Sequence, residues 1–463
     1  MGMAAADLWW MGVPAAAAAG GLAFWRVAHP ASFWGVEFPV TAARVYATWG
    51  AVASGCGLSR RRRRWRWTFD AVPLAPQAMT ISQRRRLRRA EVELAPRIGL
   101  IRPTRHGFRV SIRLHDGQTP EDYTRVVGKL AHAWRVHSVR VLTWRPGKVT
   151  LIATLVDPLE KVTIPVLSDG LLRVQVGVLE TGAPFVVDFR VVPHWLIAGA
   201  TQSGKSNLAN ALIAGLASQP VALVGFDLKG GVEFTPYEAR MSALATERAE
   251  CAALLADLIG IIKDRMALCR LYRVKNIWRL PEVLRPTPIV VLVDEIAELY
   301  LMADPKSEKD EVQAIATRLL RLAQLGRAFG IYLVVCGQRV GSDLGPGVTA
   351  LRAQLTGRIC HMVNDEETAK MALGDIDPEA LAAARQISPN RPGTAVVIGS
   401  EGRWSLMRSV HVTEEQAQAA ATMYADLAPA WSDLTRAFAT AADVGVAEVE
   451  DLTPAADLED LPV

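Results

Sequence analysis

Trp195 to Ala198 is a short apolar run that passes directly into Gly199-Ala200-Thr201-Gln202-Ser203-Gly204-Lys205-Ser206, after which Asn207 to Leu216 reads as a helix. Strand, glycine loop and helix in that order restrict what the chain can become more than any other feature. Glycines let consecutive backbone N–H groups converge on phosphate oxygens, and the helix adds the positive end of its dipole. Lys205 is placed to reach the β- and γ-phosphates of a nucleoside triphosphate, and Ser206 to ligate a metal ion. Gly199, Ala200, Thr201, Gln202, Ser203, Gly204 and Asn207 complete the cradle. ATP and Mg²⁺ are the expected cofactors.

Pro288 to Val293 is a second buried run, and it delivers Asp294 and Glu295 at its C-terminal end, where open α/β sheets place ligands. Asp294 is expected to hold Mg²⁺ and Glu295 to orient and deprotonate the attacking water. Alone, an apolar strand ending in Asp-Glu has an ordinary solvated-turn reading; downstream of the glycine loop it gains chemical meaning. Val221 to Phe226 leads into Asp227-Leu228-Lys229-Gly230-Gly231, and Ile331 to Cys336 into Gly337-Gln338-Arg339. The Gln338 amide would sense the γ-phosphate or the attacking water, or merely cap its strand. Together these runs predict an α/β fold: a RecA-like P-loop ATPase motor of the additional-strand class, its sheet mainly parallel with crossover helices.

The rest of the chain is less uniform. The net charge is only +5, yet the first 110 residues hold 17 Lys and Arg against 5 Asp and Glu. Seven of thirteen tryptophans fall in the first seventy residues, which points to a membrane interface. Leu8 to Trp25 carries no charge and approaches the ~20 residues that cross a hydrocarbon core. Phe33 to Leu58 is a second apolar stretch, interrupted by Glu37 and Arg44, for a span or an interfacial segment. Arg60 to Trp67 then holds six arginines and opposes translocation, so everything beyond Arg60 is expected on the cytoplasmic side of a cell membrane. A second basic run, Arg84 to Arg89, reads as helix or linker and would meet lipid or DNA phosphate equally well.

Five cysteines lack C-x-x-C spacing or a nearby His cluster and read as reduced and structural. The expected domains are a membrane anchor with its basic block over 1–67, a basic linker over 68–97, a small α/β module over 98–160, the motor over 161–411, and a helix with an acidic tail over 412–463. In the module, alternation marks strands at Arg109 to Leu114, Val139 to Leu142 and Val149 to Leu155, with a helix from Pro120 to about Trp134.

Beyond these readings, Pro193 to Ala198, Asp227 to Gly231, and Leu325-Gly326-Arg327-Ala328-Phe329-Gly330 leading to Gly337-Gln338-Arg339 resemble the FtsK/SpoIIIE motor domain over about Pro184 to Gly399. Within that family, Ala353 to Arg358, His361 to Glu366 and Met371 to Asp375 resemble short actinobacterial transfer proteins of conjugative plasmids and integrative elements. The resemblance implies a homo-oligomer, a hexameric ring that threads double-stranded DNA with nucleotide bound between subunits. It also implies an arginine supplied in trans, Arg358 first and Arg327 second, either of which could instead be an ordinary surface salt bridge. A septal chromosome pump and a type VII-like protein secretion ATPase are the competing functions. No basic recognition helix follows the motor, so sequence-directed loading on DNA is not expected.

Overall fold

Strand patterning decides most of the architecture. The computed structural model describes residues 30–73, 81–104, 106–162, 165–374, 378–399 and 402–436. The Leu8 to Trp25 stretch and the acidic tail from Ala441 lie outside the described residues. The chain divides into two compact units, one ending at Pro158 and the other beginning at Leu159.

In the first unit, β1 (Arg60–Pro73) pairs antiparallel with β2 (Ile81–Leu94), so that Trp65 stands opposite Arg89 and Arg66 opposite Arg88. The basic run expected as helix or linker is thus a strand. Arg61 and Arg63 on one strand meet Glu93 and Glu91 on the other, which offsets part of the repulsion. Four further strands, β3 (Arg97–Thr104), β4 (Gly107–Arg113), β5 (Ser138–Arg145) and β6 (Lys148–Thr154), form an antiparallel sheet in the order β3-β4-β6-β5.

Alternation buries Phe108, Val110 and Ile112 of β4 and Val149, Leu151 and Ala153 of β6 on one face of that sheet. Leu130 and Trp134 of the helix Val127–Trp134 pack into the same core, after a first helical turn at Pro120–Thr124. The expected single helix is broken at Arg125 and Val126.

The second apolar stretch also ends up in this core. It forms the helix Pro30–Gly55, whose Val45, Trp49 and Ala53 are buried with the sheet residues. Trp49 stacks 6.1 Å from Trp134 and donates its Nε1–H to the Pro96 carbonyl at 2.6 Å, while Arg44 donates to the Trp134 carbonyl. An apolar helix face covered by protein needs no lipid. Among the described residues no helix is long and apolar enough to cross a membrane.

In the second unit, strands buried on both faces read as continuous apolar runs, because helices cover each side. β10 (His194–Ala198), β11 (Ala222–Phe226), β13 (Ile289–Val293), β14 (Ile331–Gly337) and β15 (Gly357–His361) are joined by short β12 (Ala243–Ala245) in the parallel order β12-β11-β13-β14-β10-β15. β14 therefore stands between the glycine-loop strand and the Asp-Glu strand. The sheet continues antiparallel through β16 (Thr394–Ile398), β17 (Trp404–Ser409), β8 (Arg173–Leu179) and β7 (Leu167–Gly170), with β9 (Pro184–Asp188) paired to β8.

Leu223, Val290, Leu292 and Val334 face one side with the helix Lys205–Ala217. Val224, Val291, Val293 and Leu333 face the other, under the helices Arg248–Leu271 and Pro305–Leu325. Thr413 caps the short helix Glu414–Met423, which packs beside Lys205–Ala217 and is followed by a brief helix at Trp431–Thr435.

Candidate nucleotide site

The loop between β10 and Lys205–Ala217 stands at the C-terminal ends of the parallel strands, and its backbone is fixed by close neighbours. Gly204 has φ +111°, and a Cβ there would come within 2.4 Å of the Gly393 nitrogen. At Gly199 a Cβ would sit 2.6 Å from Ser203 Oγ and 2.7 Å from His361 Cβ. Both positions exclude larger residues. The Ala200 N–H donates to the Met362 carbonyl at 2.8 Å and the Gly393 N–H to the Ser203 carbonyl at 2.9 Å. Thr201, Gln202 and Ser206 are exposed, with Gln202 at a positive φ of 61°.

Lys205 Nζ donates to the Gly199 carbonyl at 2.6 Å. Burial lowers its pKa, and the nearby Glu295 carboxylate works against that shift. Asp294 and Glu295, both nearly buried, follow β13 and meet Lys229, whose Nζ lies 3.0 Å from Asp294 Oδ2 and 3.7 Å from Glu295 Oε2. Burial acts to lower the Lys229 ammonium, but the two carboxylates prevail and raise it. Glu295 Oε1 also accepts the backbone N–H of Gln338 at 3.2 Å, across from the end of β14. Burial raises the Glu295 carboxyl above its ordinary value, opposed first by Lys229. A carboxylate poised in this way is a ready proton acceptor once the charge around it is balanced.

The Gln338 side chain is exposed and lines a hollow of about 330 Å³ shared with Ala200 and Thr201. On the other flank of the loop, Gly204, Asn207, Gly393 and His411 line a hollow of about 280 Å³. Asn207 spends its amide on the Val410 carbonyl at 2.7 Å, and its Oδ1 accepts the Val412 N–H at 2.9 Å, so it ties the helix to the strand beyond.

The two arginines considered for a trans role lie apart from this site. Arg358, half-buried on β15, donates to the carbonyls of Ala372 and Arg352 in its own chain, and burial lowers its pKa to about 10. Arg327 is exposed at the opposite end of the sheet, in a hollow of about 950 Å³ with Arg190, Arg279 and Trp278.

The N-terminal domain of actinomycete conjugal transfer proteins matches residues 22–155, and the FtsK/SpoIIIE family matches residues 167–283 and 278–342. The transfer protein TraSA of Streptomyces ambofaciens is 42% identical over 398 residues, which cover 83% of this chain and 92% of that protein. The chain belongs to the FtsK/SpoIIIE family. Within it the likeness to actinomycete transfer proteins runs nearly end to end, whereas the DNA translocase FtsK of Haemophilus influenzae is 26% identical over 71% of the chain. A sporulation regulatory protein of Streptomyces azureus is 48% identical over 52% of the chain and 79% of its own length. Among solved structures, the pCW3 conjugation coupling protein TcpA, a monomer form with ATPγS, covers 71% of the chain at 20% identity with a TM-score of 0.51. That likeness concerns the fold.

Three residues beside this candidate site, Lys229, Asp227 and Glu233, receive no individual role from the sequence. Lys229 reads there only as part of a motif, although it is the cation that joins Asp294 and Glu295. Burial followed by the Asp294 charge raises the Glu233 carboxyl above its ordinary value, while the Ser206 hydroxyl works against that shift. Buried Asp227 accepts the N–H groups of Glu233 and Phe234 at 2.8 and 3.1 Å and so shapes the turn that brings Glu233 in. The clue available in sequence is a carboxylate two residues beyond the Gly230-Gly231 pair. Hydroxyl and carboxylate oxygens at Ser206, Asp294 and Glu233 are the hard donors that Mg²⁺ takes, so the residues present fit that ion.

Proposed function

We propose that this protein is a membrane-anchored, ATP-hydrolysing motor that moves double-stranded DNA in conjugal transfer. The observation that carries the reading is the buried Glu295 carboxylate, held by the Gln338 N–H and Lys229 beside the loop that presents Lys205. The near full-length likeness to TraSA selects transfer over septal partitioning or protein export.

In this proposal the N–H groups of Gly199 to Ser206 bind the triphosphate, and Lys205 leaves the Gly199 carbonyl for the β- and γ-phosphate oxygens. Ser206 and Asp294, with Glu233 beside them, hold Mg²⁺, which neutralises phosphate charge when bound. Glu295 takes the proton of the attacking water, and Gln338 positions that water or reports the γ-phosphate. Lys229 keeps the two carboxylates apart from one another's charge before nucleotide arrives.

Subunits assemble as a ring, hexameric as in the family resemblance, and Arg358 or Arg327 is supplied to the neighbouring copy. Residues before Pro30 supply the membrane anchor. Floating the full chain with lipid against a chain starting at Pro30 tests that point, since a start near Thr68 would remove Val45, Trp49 and Ala53 from the core.

The deciding experiment measures ATP turnover with duplex DNA of random sequence over a salt series. Stimulation that weakens with salt is expected, because backbone binding releases counterions. Stimulation by a protein substrate instead of DNA would overturn the reading in favour of secretion.

A further inference from the structure

The four-stranded sheet of the first unit has a second face, and its composition is unusual. In β4 the sequence Arg109-Val110-Ser111-Ile112-Arg113 sends Val110 and Ile112 into the core at 0% exposure and leaves both arginines in solvent. The other strands do the same with Arg97, Arg102, Arg145 and Lys148. These six cations line a basin of about 810 Å³ to which, among the described residues, no Asp or Glu contributes.

The register sets like charges against each other: Arg97 opposite Arg113, Arg102 opposite Arg109, and Lys148 opposite both Arg113 and Arg145. Directly opposed like charges destabilise a sheet. Elsewhere in the same unit the arginines of β1 are offset by Glu91, Glu93 and Asp116. Among the described residues none of the six basin cations has a hydrogen bond or ion pair. At the centre, Ser111 Oγ and Thr150 Oγ1 lie 3.4 Å apart and offer neutral hydroxyls between the cations.

We propose that this face is a docking surface for duplex DNA, which it holds by the phosphate backbone. The charge complement is a polyanion, because six unpaired cations across four strands call for repeated phosphates. Among the described residues no aromatic ring lines the basin, so they offer unstacked bases of a single strand nothing to stack on. Guanidinium and hydroxyl groups are left to hold the backbone, and that grip is indifferent to sequence. The assignment rests on double-stranded DNA being the cargo, and it gives the first unit a part in handling it.

The test uses the full chain and two double variants, Arg109→Gln/Arg113→Gln and Arg102→Gln/Arg145→Gln. Binding of a fluorescent random-sequence duplex is followed by anisotropy over a salt series, with melting temperature and DNA-free ATP turnover as controls. Each phosphate that a variant no longer neutralises should flatten the slope of log K against log salt by ~0.9 and weaken binding about eightfold near 0.1 M salt. Melting temperature should hold or rise as like-charge pairs are relieved, and DNA-free turnover should not change.

Parent affinity and slope in both variants, with the parent binding DNA, would overturn this inference alone. Loss of binding to phosphatidylserine vesicles with DNA binding intact would overturn it in favour of a lipid-facing surface. A parent that hydrolyses ATP but binds no duplex would remove the cargo reading, and this inference with it.

Discussion

Replacing Glu295 with glutamine should separate chemistry from binding at the proposed nucleotide site. The amide keeps an oxygen where Glu295 Oε1 accepts the Gln338 N–H at 3.2 Å, so the end of β13 should keep its place. What disappears is the charge that faces Lys229 at 3.7 Å, while Lys229 stays bound to Asp294 at 3.0 Å. The Lys229 side chain is 40% exposed, so solvent screening limits that attraction to ~0–1 kcal/mol.

Burial works the other way. Folding raises the Glu295 carboxyl, so this group favours the folded state at pH below the ordinary carboxylate range and loses that advantage as pH rises through the raised value. At neutral pH the buried charge is a cost that the amide removes, and the variant should melt within a few degrees of the parent. Catalysis should suffer far more, since a general base contributes ~10²–10⁴-fold, or about 2.7–5.5 kcal/mol of barrier. The assay is ATP affinity by a fluorescent analogue beside steady-state phosphate release from pH 5 to 8. Expected are near-parent affinity, turnover down at least about a hundredfold, and loss of the acid limb that the parent owes to Glu295. Turnover within threefold of the parent would refute the assignment of the base.

Other perturbations probe the same geometry. Lys205→Ala should lose ATP binding itself in the fluorescent-analogue titration, because the triphosphate charge is left without its ammonium; undiminished affinity would contradict this role. Mixing Arg358→Ala with Lys205→Ala subunits should recover part of the ATP turnover if Arg358 acts on a neighbour, and the same mixture with Arg327→Ala tests the other candidate. Recovery by one arginine alone assigns the role, and recovery by neither, despite co-assembly, removes both. His194 is buried, its Nδ1 accepts the Leu333 N–H at 3.1 Å, and burial followed by the Arg327 charge lowers its pKa to about 4. Its contribution is present above the ordinary histidine range and is lost as pH falls through about 4, so His194→Gln should flatten the acid-unfolding profile there.

The glycine loop and the strands beside it were legible because their signal is local. A glycine loop between a strand and a helix needs only neighbours in sequence, and strands covered on both faces announce themselves as unbroken apolar runs such as Ile289 to Val293. Which strands adjoin is a long-range matter. No local pattern says that β14 lies between β10 and β13; only the additional-strand class expected from the motifs implies it, and that order puts the Gln338 N–H on Glu295, 43 residues away in sequence.

Lys229 joined the two carboxylates for the same reason: its partner Asp294 is 65 residues away, and only the parallel pairing of β11 with β13 brings their ends together. Hydropathy also could not say what covers an apolar surface. The stretch from Phe33 to Leu58 has the composition of a membrane segment, but Val45, Trp49 and Ala53 are covered by the sheet and helices of their own unit. Burial by protein and burial by lipid remove the same area from water, so composition does not distinguish them. The basic runs at Arg60 and Arg84 gave no alternation to read, and long-range backbone pairing made them antiparallel strands, with Glu91 and Glu93 meeting Arg63 and Arg61 of the first run. Sequence determined the chemistry available at each position, and tertiary structure decided which distant groups meet, because pairing partners are chosen by the whole sheet.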